Sequence, residues 1–355
     1  MKRFFSLFML VLLSVAMVQE VQAHRRVRNV ILLIGDGMGL AHVSMMEIEQ
    51  QFRPTAFERA EAVSLVATRS ANNRVTDSAA AGTALATGRK ANNATLGVTP
   101  EGKELTTMME LARDKGLATG LVVTSHLQHA TPAAFYANTT DRGAYAAINE
   151  QLMTCGFDVL MGGGVRWMDA ACQAKMTEAG YRVVHTLEEA EAVEQMPLLA
   201  LVGEEKLSGA AERGDYLPRA TQQALNLLSQ ERDGFLLMVE GSQIDGASHG
   251  RDAVRTLAEV RDFEQAVAVA MDFADTHPGT LVIVTADHET GGLALPSGKS
   301  DFTLSESGIR YRFASGSHTA IRVPAFFYGT GADRFPAMMD NTELAKQVMA
   351  LLRLR

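Results

Sequence analysis

Val30-Ile-Leu-Leu-Ile-Gly-Asp-Gly-Met-Gly39 opens with five apolar residues in a row and closes on an acid held between glycines. An apolar run without polar alternation marks a strand buried on both faces. Similar runs recur at 117–124, 159–161, 235–239, 281–285 and 323–328, and all six read as parallel strands. Helical spacing fills the intervals at 105–115, 145–153, 219–228, 256–273 and 343–352, the first of these stopping at the capping Gly116. Strands alternating with helices predict an α/β fold. It is a three-layer sandwich whose central, mostly parallel sheet is covered by helices on both faces. Residues 182–203 read as a weaker, peripheral αβ unit, and the Ser- and Gly-rich stretch 295–317 as an excursion near the functional face.

A chain of 355 residues suits one large α/β domain or two ordinary ones. No internal repeat or low-complexity linker divides it, so residues 24–355 are taken as a single domain. A net charge of -8 argues against a nucleic-acid surface, which needs clustered Lys and Arg. Met1-Lys2-Arg3 is basic, Phe4 to Val18 is apolar apart from Ser6 and Ser14, and Val21-Gln22-Ala23 offers the small residues a signal peptidase accepts. This predicts a signal peptide over 1–23 and an exported chain, periplasmic or secreted, beginning near His24. The apolar run is short for a membrane span, and an uncleaved anchor is the alternative. No Cys follows it closely, which argues against a lipid anchor. In an oxidising compartment Cys155 and Cys172 either bridge or remain two thiols.

Polar residues gather at the C-terminal ends of the strands, where open α/β sheets bind ligands. Glycines on either side of Asp36 let the backbone turn sharply and leave the carboxylate uncovered, although Gly-Asp-Gly is also an ordinary turn. Asp287-His288 after a buried strand offers a carboxylate and an imidazole, donors that suit zinc. Asp245 and His249 are four apart, one helical turn, and so share a face. His318 adds an imidazole before the last strand and carries little weight alone. Together Asp36, Asp245, His249, Asp287, His288 and His318 exceed one tetrahedral zinc and fit two metals a few ångströms apart. Glu240, a hard oxygen donor at a strand end, suits magnesium better.

Thr76-Asp-Ser-Ala-Ala-Ala-Gly82 surrounds Ser78 with small residues. One reading is that they leave empty space for a hydroxyl approaching two metals. On this reading Ser78 begins a helix whose dipole favours negative charge there. The other makes Asp77 or Ser78 a plain cap, with the alanines packed tightly on a neighbour.

In order along nearly the whole mature chain, these motifs resemble the alkaline phosphatase family: Gly35-Asp-Gly-Met-Gly39, Thr76-Asp-Ser-Ala-Ala80, His129-Ala-Thr-Pro-Ala133, Glu240 through His249, Thr285-Ala-Asp-His-Glu-Thr-Gly-Gly292 and Ser317-His-Thr319. The resemblance implies that Ser78 is the nucleophile. It implies one zinc on Asp245, His249 and His318, and a second on Asp36, Asp287, His288 and Ser78. A third ion, usually magnesium, would sit on Asp36, Thr131 and Glu240, with His129 beside it making zinc possible there. Arg142 falls on the family's phosphate clamp, a role its planar fork suits, while a surface ion pair is the alternative. The implied substrates are small phosphate monoesters over a broad range, and the implied assembly is a homodimer. Gly246 stands where relatives often carry Lys, His or Trp, which implies looser phosphate binding. The rival readings are a phosphodiesterase or sulfatase of the same superfamily, or an exported metal- or phosphate-binding protein without turnover.

Overall fold

The computed structural model describes residues 26–297 and 309–354. The expected signal peptide and the middle of the 295–317 excursion lie outside the described residues. In chain order the strands are β1 Asn29–Gly35, β2 Ala62–Ala67, β3 Ala118–His126, β4 Val159–Gly163, β5 Arg182–Val184, β6 Leu198–Leu201 and β7 Phe235–Gly241, then β8 Thr280–Thr285, β9 Glu289–Thr290, β10 Leu293–Ala294, β11 Arg312–Phe313, β12 His318–Thr319, β13 Val323–Gly329 and β14 Met338–Asp340. Ten of them form one sheet in the order β14-β2-β13-β8-β1-β7-β3-β4-β6-β5.

The central strands are parallel: β1 pairs with β7 and β8, and β3 with β7 and β4. All nine residues of β3 and all seven of β7 are buried, as continuous apolar runs require when both faces are covered. Helices Ala253–Thr276, Tyr216–Leu228 and Leu40–Glu49 pack together over one face. Ser78–Thr87, Met108–Asp114 and Asn341–Leu351 pack together elsewhere on the sheet. The expected sandwich is therefore present.

One strand runs against expectation. β13 is antiparallel to both β8 and β2. A parallel neighbour needs a crossover that carries the chain back to the other end of the sheet. After β8 the chain instead makes the short pairs β9–β12 and β10–β11, and β13 then starts beside the end of β8: Phe326 pairs with Val284 and Gly329 with Leu281. Two strands of the ten-stranded sheet, β2 and β14, and the short pairs β9–β12 and β10–β11 had no counterpart in the sequence reading. The helix expected from 105 begins at Met108, because Thr107 caps it: Thr107 Oγ1 accepts from Glu110 N at 3.1 Å and Glu110 returns a carboxylate to Thr107 N at 2.8 Å. The 182–203 unit is peripheral as expected, with β5 and β6 at the sheet edge. Cys155 and Cys172 are both free thiols, Cys155 buried, so the bridge is not made.

Candidate active site

β1, β3, β7 and β8 all end at one edge of the sheet, and the loops that follow carry the site. Asp36 follows β1, and its carboxylate is almost fully buried. Gly37 takes φ +78°, a left-handed conformation that side chains strain to adopt, and so turns the chain away directly after the acid. Glu240 lies within β7, and Gln243–His249 follows as a short helix. There Asp245 Oδ1 and His249 Nε2 are 3.2 Å apart, the neighbours that one helical turn implies. The β9–β12 pair brings His318 across, with Nε2 3.1 Å from that of His249 and 3.4 Å from Asp245 Oδ1. Ligands about 2.0–2.1 Å from a tetrahedral zinc stand ~3.3 Å from one another, so this triangle fits one.

Ser78 is the first residue of the buried helix Ser78–Thr87, capped by Asp77 Oδ1 accepting from Ala80 N at 3.0 Å. Its Oγ lies 3.3 Å from His288 Nε2. The same nitrogen is 3.3 Å from Asp287 Oδ2 and 3.5 Å from Asp36 Oδ1. Ser78, Asp36 and Asp287, the partners expected for His288 at the second site, thus each stand within 3.5 Å of its Nε2, while the ligand atoms of Asp36, Asp245 and His288 lie within 4.8 Å of one another. Asp36, Glu240 and His129 offer a third group, with ligand atoms all within 4.8 Å of one another. Both Asp36 oxygens, Glu240 Oε1, Asp287 Oδ2, His129 Nδ1 and Thr131 Oγ1 are buried without a hydrogen-bond partner. Buried acids left unpaired are costly, and so many aimed into one space fit cations.

The electrostatics agree. Burial, then the charges of Asp287, Asp245 and Glu240, push the Asp36 carboxyl well above its usual range. Burial pushes Glu240 up to about 8, although Ser242 Oγ donates to its Oε2 at 2.6 Å. Burial lowers His288 and takes His129 down to about 3, so both are neutral donors. Asp245 is held well below its usual range despite burial, by the hydrogen bonds of His249 and His318.

The small residues after Ser78 pack tightly on a neighbour, as the second reading expected. All ten residues of their helix are buried, and a Cβ at Gly82 would stand 3.0 Å from Ala134 Cβ. They allow the helix to pack closely on the turn Ala130–Ala133, which carries Thr131. Arg142 forms the ion pair given as its alternative, Nη1 to Asp77 Oδ2 at 2.9 Å, and this pair sits beside Ser78. Asp77 thus caps the helix, as one of the two readings expected, and also anchors Arg142, which the sequence reading missed. Also missed was an aromatic group behind His129: the His126 ring lies 5.3 Å from His129, 4.1 Å from Trp167 and 5.1 Å from Tyr145. An aromatic three residues after Arg142 was the one available signal. A cavity of about 620 Å³ beside β5, lined by Arg182, His185 and Glu194 among others, holds none of these groups. Chemistry rather than concavity locates the site.

Comparison with known proteins gives the same direction. A family model described as alkaline phosphatase matches residues 27–315. Alkaline phosphatase 4 of Bacillus subtilis (strain 168) is 37% identical over 325 residues, covering 86% of this chain and 68% of that protein. The alkaline phosphatase of the Antarctic bacterium TAB5 superposes with a TM-score of 0.87 at 31% identity, covering 93% of this chain and 100% of that one. A histidine-to-aspartate variant of that enzyme, with Mg bound in its M3 site, gives 0.86 at 30% identity over 93% and 99%.

Proposed function

Because the chain belongs to the alkaline phosphatase family, we propose that it hydrolyses phosphate monoesters through a phosphoserine at Ser78. The convergence of Ser78 Oγ, Asp287 Oδ2 and Asp36 Oδ1 on His288 Nε2, all at 3.3–3.5 Å, carries this reading. Asp245, His249 and His318 would hold one zinc. Asp36, Asp287 and His288, with Ser78 Oγ, would hold a second. Asp36, Glu240 and Thr131 would hold magnesium, or zinc where His129 joins them. Bound there, such cations lower the pKa of hydroxyls and water and neutralise charge building on phosphate oxygens.

Ser78 Oγ attacks phosphorus from the helix N-terminus, where free N–H groups favour a phosphate. The Oγ–P bond forms as the ester P–O bond breaks, and the alcohol leaves with a proton. Arg142, anchored through one nitrogen to Asp77, turns the rest of its fork to two phosphate oxygens and holds them for in-line attack. Water then attacks the phosphoserine, freeing Oγ and inorganic phosphate. Two inversions give net retention at phosphorus. The chemistry needs only the phosphoryl group, which favours a broad range of small monoesters. The basic and apolar start of the sequence supports export to the periplasm or medium. Among the described residues no helix is long and apolar enough to cross a membrane. A homodimer is proposed from the family resemblance.

Replacing Ser78 with Ala tests the covalent route. Turnover of an aryl phosphate should fall by at least ~10³-fold while metal content is unchanged. Full activity in the metal-loaded variant would overturn it. Parallel rates on a phosphodiester and a sulfate ester discriminate the superfamily rivals.

A further inference from the structure

Each imidazole of the two zinc groups turns Nε2 inward and hydrogen-bonds through Nδ1 on its other side. For His249 and His318 the Nδ1 partner is a backbone carbonyl, Gly316 O at 2.8 Å and Thr76 O at 2.9 Å, and a carbonyl only accepts. His288 leans instead on a hydroxyl, Thr290 Oγ1 at 3.2 Å, which can donate or accept. The same hydroxyl lies 2.6 Å from Asp245 Oδ1. Threonine has a single proton to give, and the charged, nearer carboxylate takes it. Thr290 Oγ1 then meets His288 with lone pairs only, so the ring proton resides on Nδ1. Nε2 is left with its lone pair directed at Ser78, Asp36 and Asp287.

Building on the phosphatase reading, we infer that Thr290 is a positioning residue joining the two zinc groups: one hydroxyl sets the tautomer and orientation of His288 and holds the carboxylate of Asp245. Its surroundings fix it for this task. Thr290 is fully buried and pairs directly across β9–β12 with His318. Its N–H donates to Gly37 O at 3.0 Å, tying it to the loop that carries Asp36. A Cβ on Gly37 would stand 2.8 Å from Thr290 Oγ1 and 2.9 Å from Asp245 Cα. Glycine at 37 is therefore required for the hydroxyl to reach the carboxylate, besides its positive φ.

The test compares Thr290→Val, which keeps the shape without the hydroxyl, with Thr290→Ser, which keeps the hydroxyl. Zinc affinity of the full chain is measured by competition with a chelator. The Val substitution should weaken binding at both sites by about 10–100-fold and Ser should restore most of it; unchanged affinity in a folded Val variant would overturn the inference. Nitrogen-15 NMR of the unmodified protein without metal gives a second decision that needs no variant. A proton on His288 Nδ1 is expected, and a bare Nδ1 overturns the assignment even if the Val variant does not fold. Neither readout is catalytic, so a chain that binds zinc as expected yet cleaves no phosphate ester would sink the phosphatase reading and leave the role of Thr290 standing.

Discussion

His42 shows how far one buried side chain can govern stability around the site. Its Nδ1 accepts from Gly39 N at 3.1 Å, so the ring proton sits on Nε2, 3.0 Å from Ser248 Oγ beside the His249 turn. Burial lowers its pKa from 6.5 to about 4. Well above pH 6.5 neither folded nor unfolded chain holds the extra proton, and His42 makes no pH-dependent contribution. Between 6.5 and 4 the unfolded chain binds a proton that the folded one refuses, so stability falls as pH falls, by about 2–3 kcal/mol near pH 4.5. Denaturant unfolding at pH 7 and 4.5 should show His42→Gln losing less than the parent by that amount; equal losses would contradict it. Gly246 is a second single-residue test. It is exposed, and a Cβ there would meet nothing within 4 Å. Gly246→Lys should be accommodated and should tighten inhibition by inorganic phosphate about tenfold through one added charge. An unchanged inhibition constant would place Gly246 away from the phosphate.

At the level of elements, the helix Ser78–Thr87 depends on having no bulk. Gly82→Val pushes its branched carbons into Ala134, only 3.0 Å from the new Cβ, and should cost about 1–3 kcal/mol in thermal unfolding. It should also shift the Ala130–Ala133 turn and so lower affinity at the third metal group. A wild-type melting temperature would show that the neighbouring turn yields freely. The central strands were legible because burial on both faces leaves an unbroken apolar run. β2 was not: Val63 and Leu65 point outward while Ser64 is buried, which inverts the usual polarity. The direction of β13 was hidden for another reason, since an apolar run carries no sign of its orientation. The acids and imidazoles were legible as candidate ligands because they gather at the strand ends. Thr290 and Asp77 were not, because threonine and aspartate are common turn and cap residues whose partners lie 45 and 65 positions away.

Across the whole molecule, three buried acids, Asp36, Glu240 and Asp287, and the partly buried Asp245 meet at one edge of the sheet. Their mutual repulsion opposes folding unless cations offset it. Stripping metal should therefore lower the unfolding midpoint. Free zinc at a hundredfold its dissociation constant should restore about 2.7 kcal/mol, read by melting with chelator and after zinc addition. No change on stripping would mean that the acids are neutralised by protons instead. The most direct measurement is anomalous diffraction at the zinc edge from crystals of the protein grown with zinc. Peaks are expected inside the Asp245–His249–His318 triangle and among Asp36, Asp287, His288 and Ser78. Zinc found elsewhere, with both positions blank, would contradict a metal-activated serine.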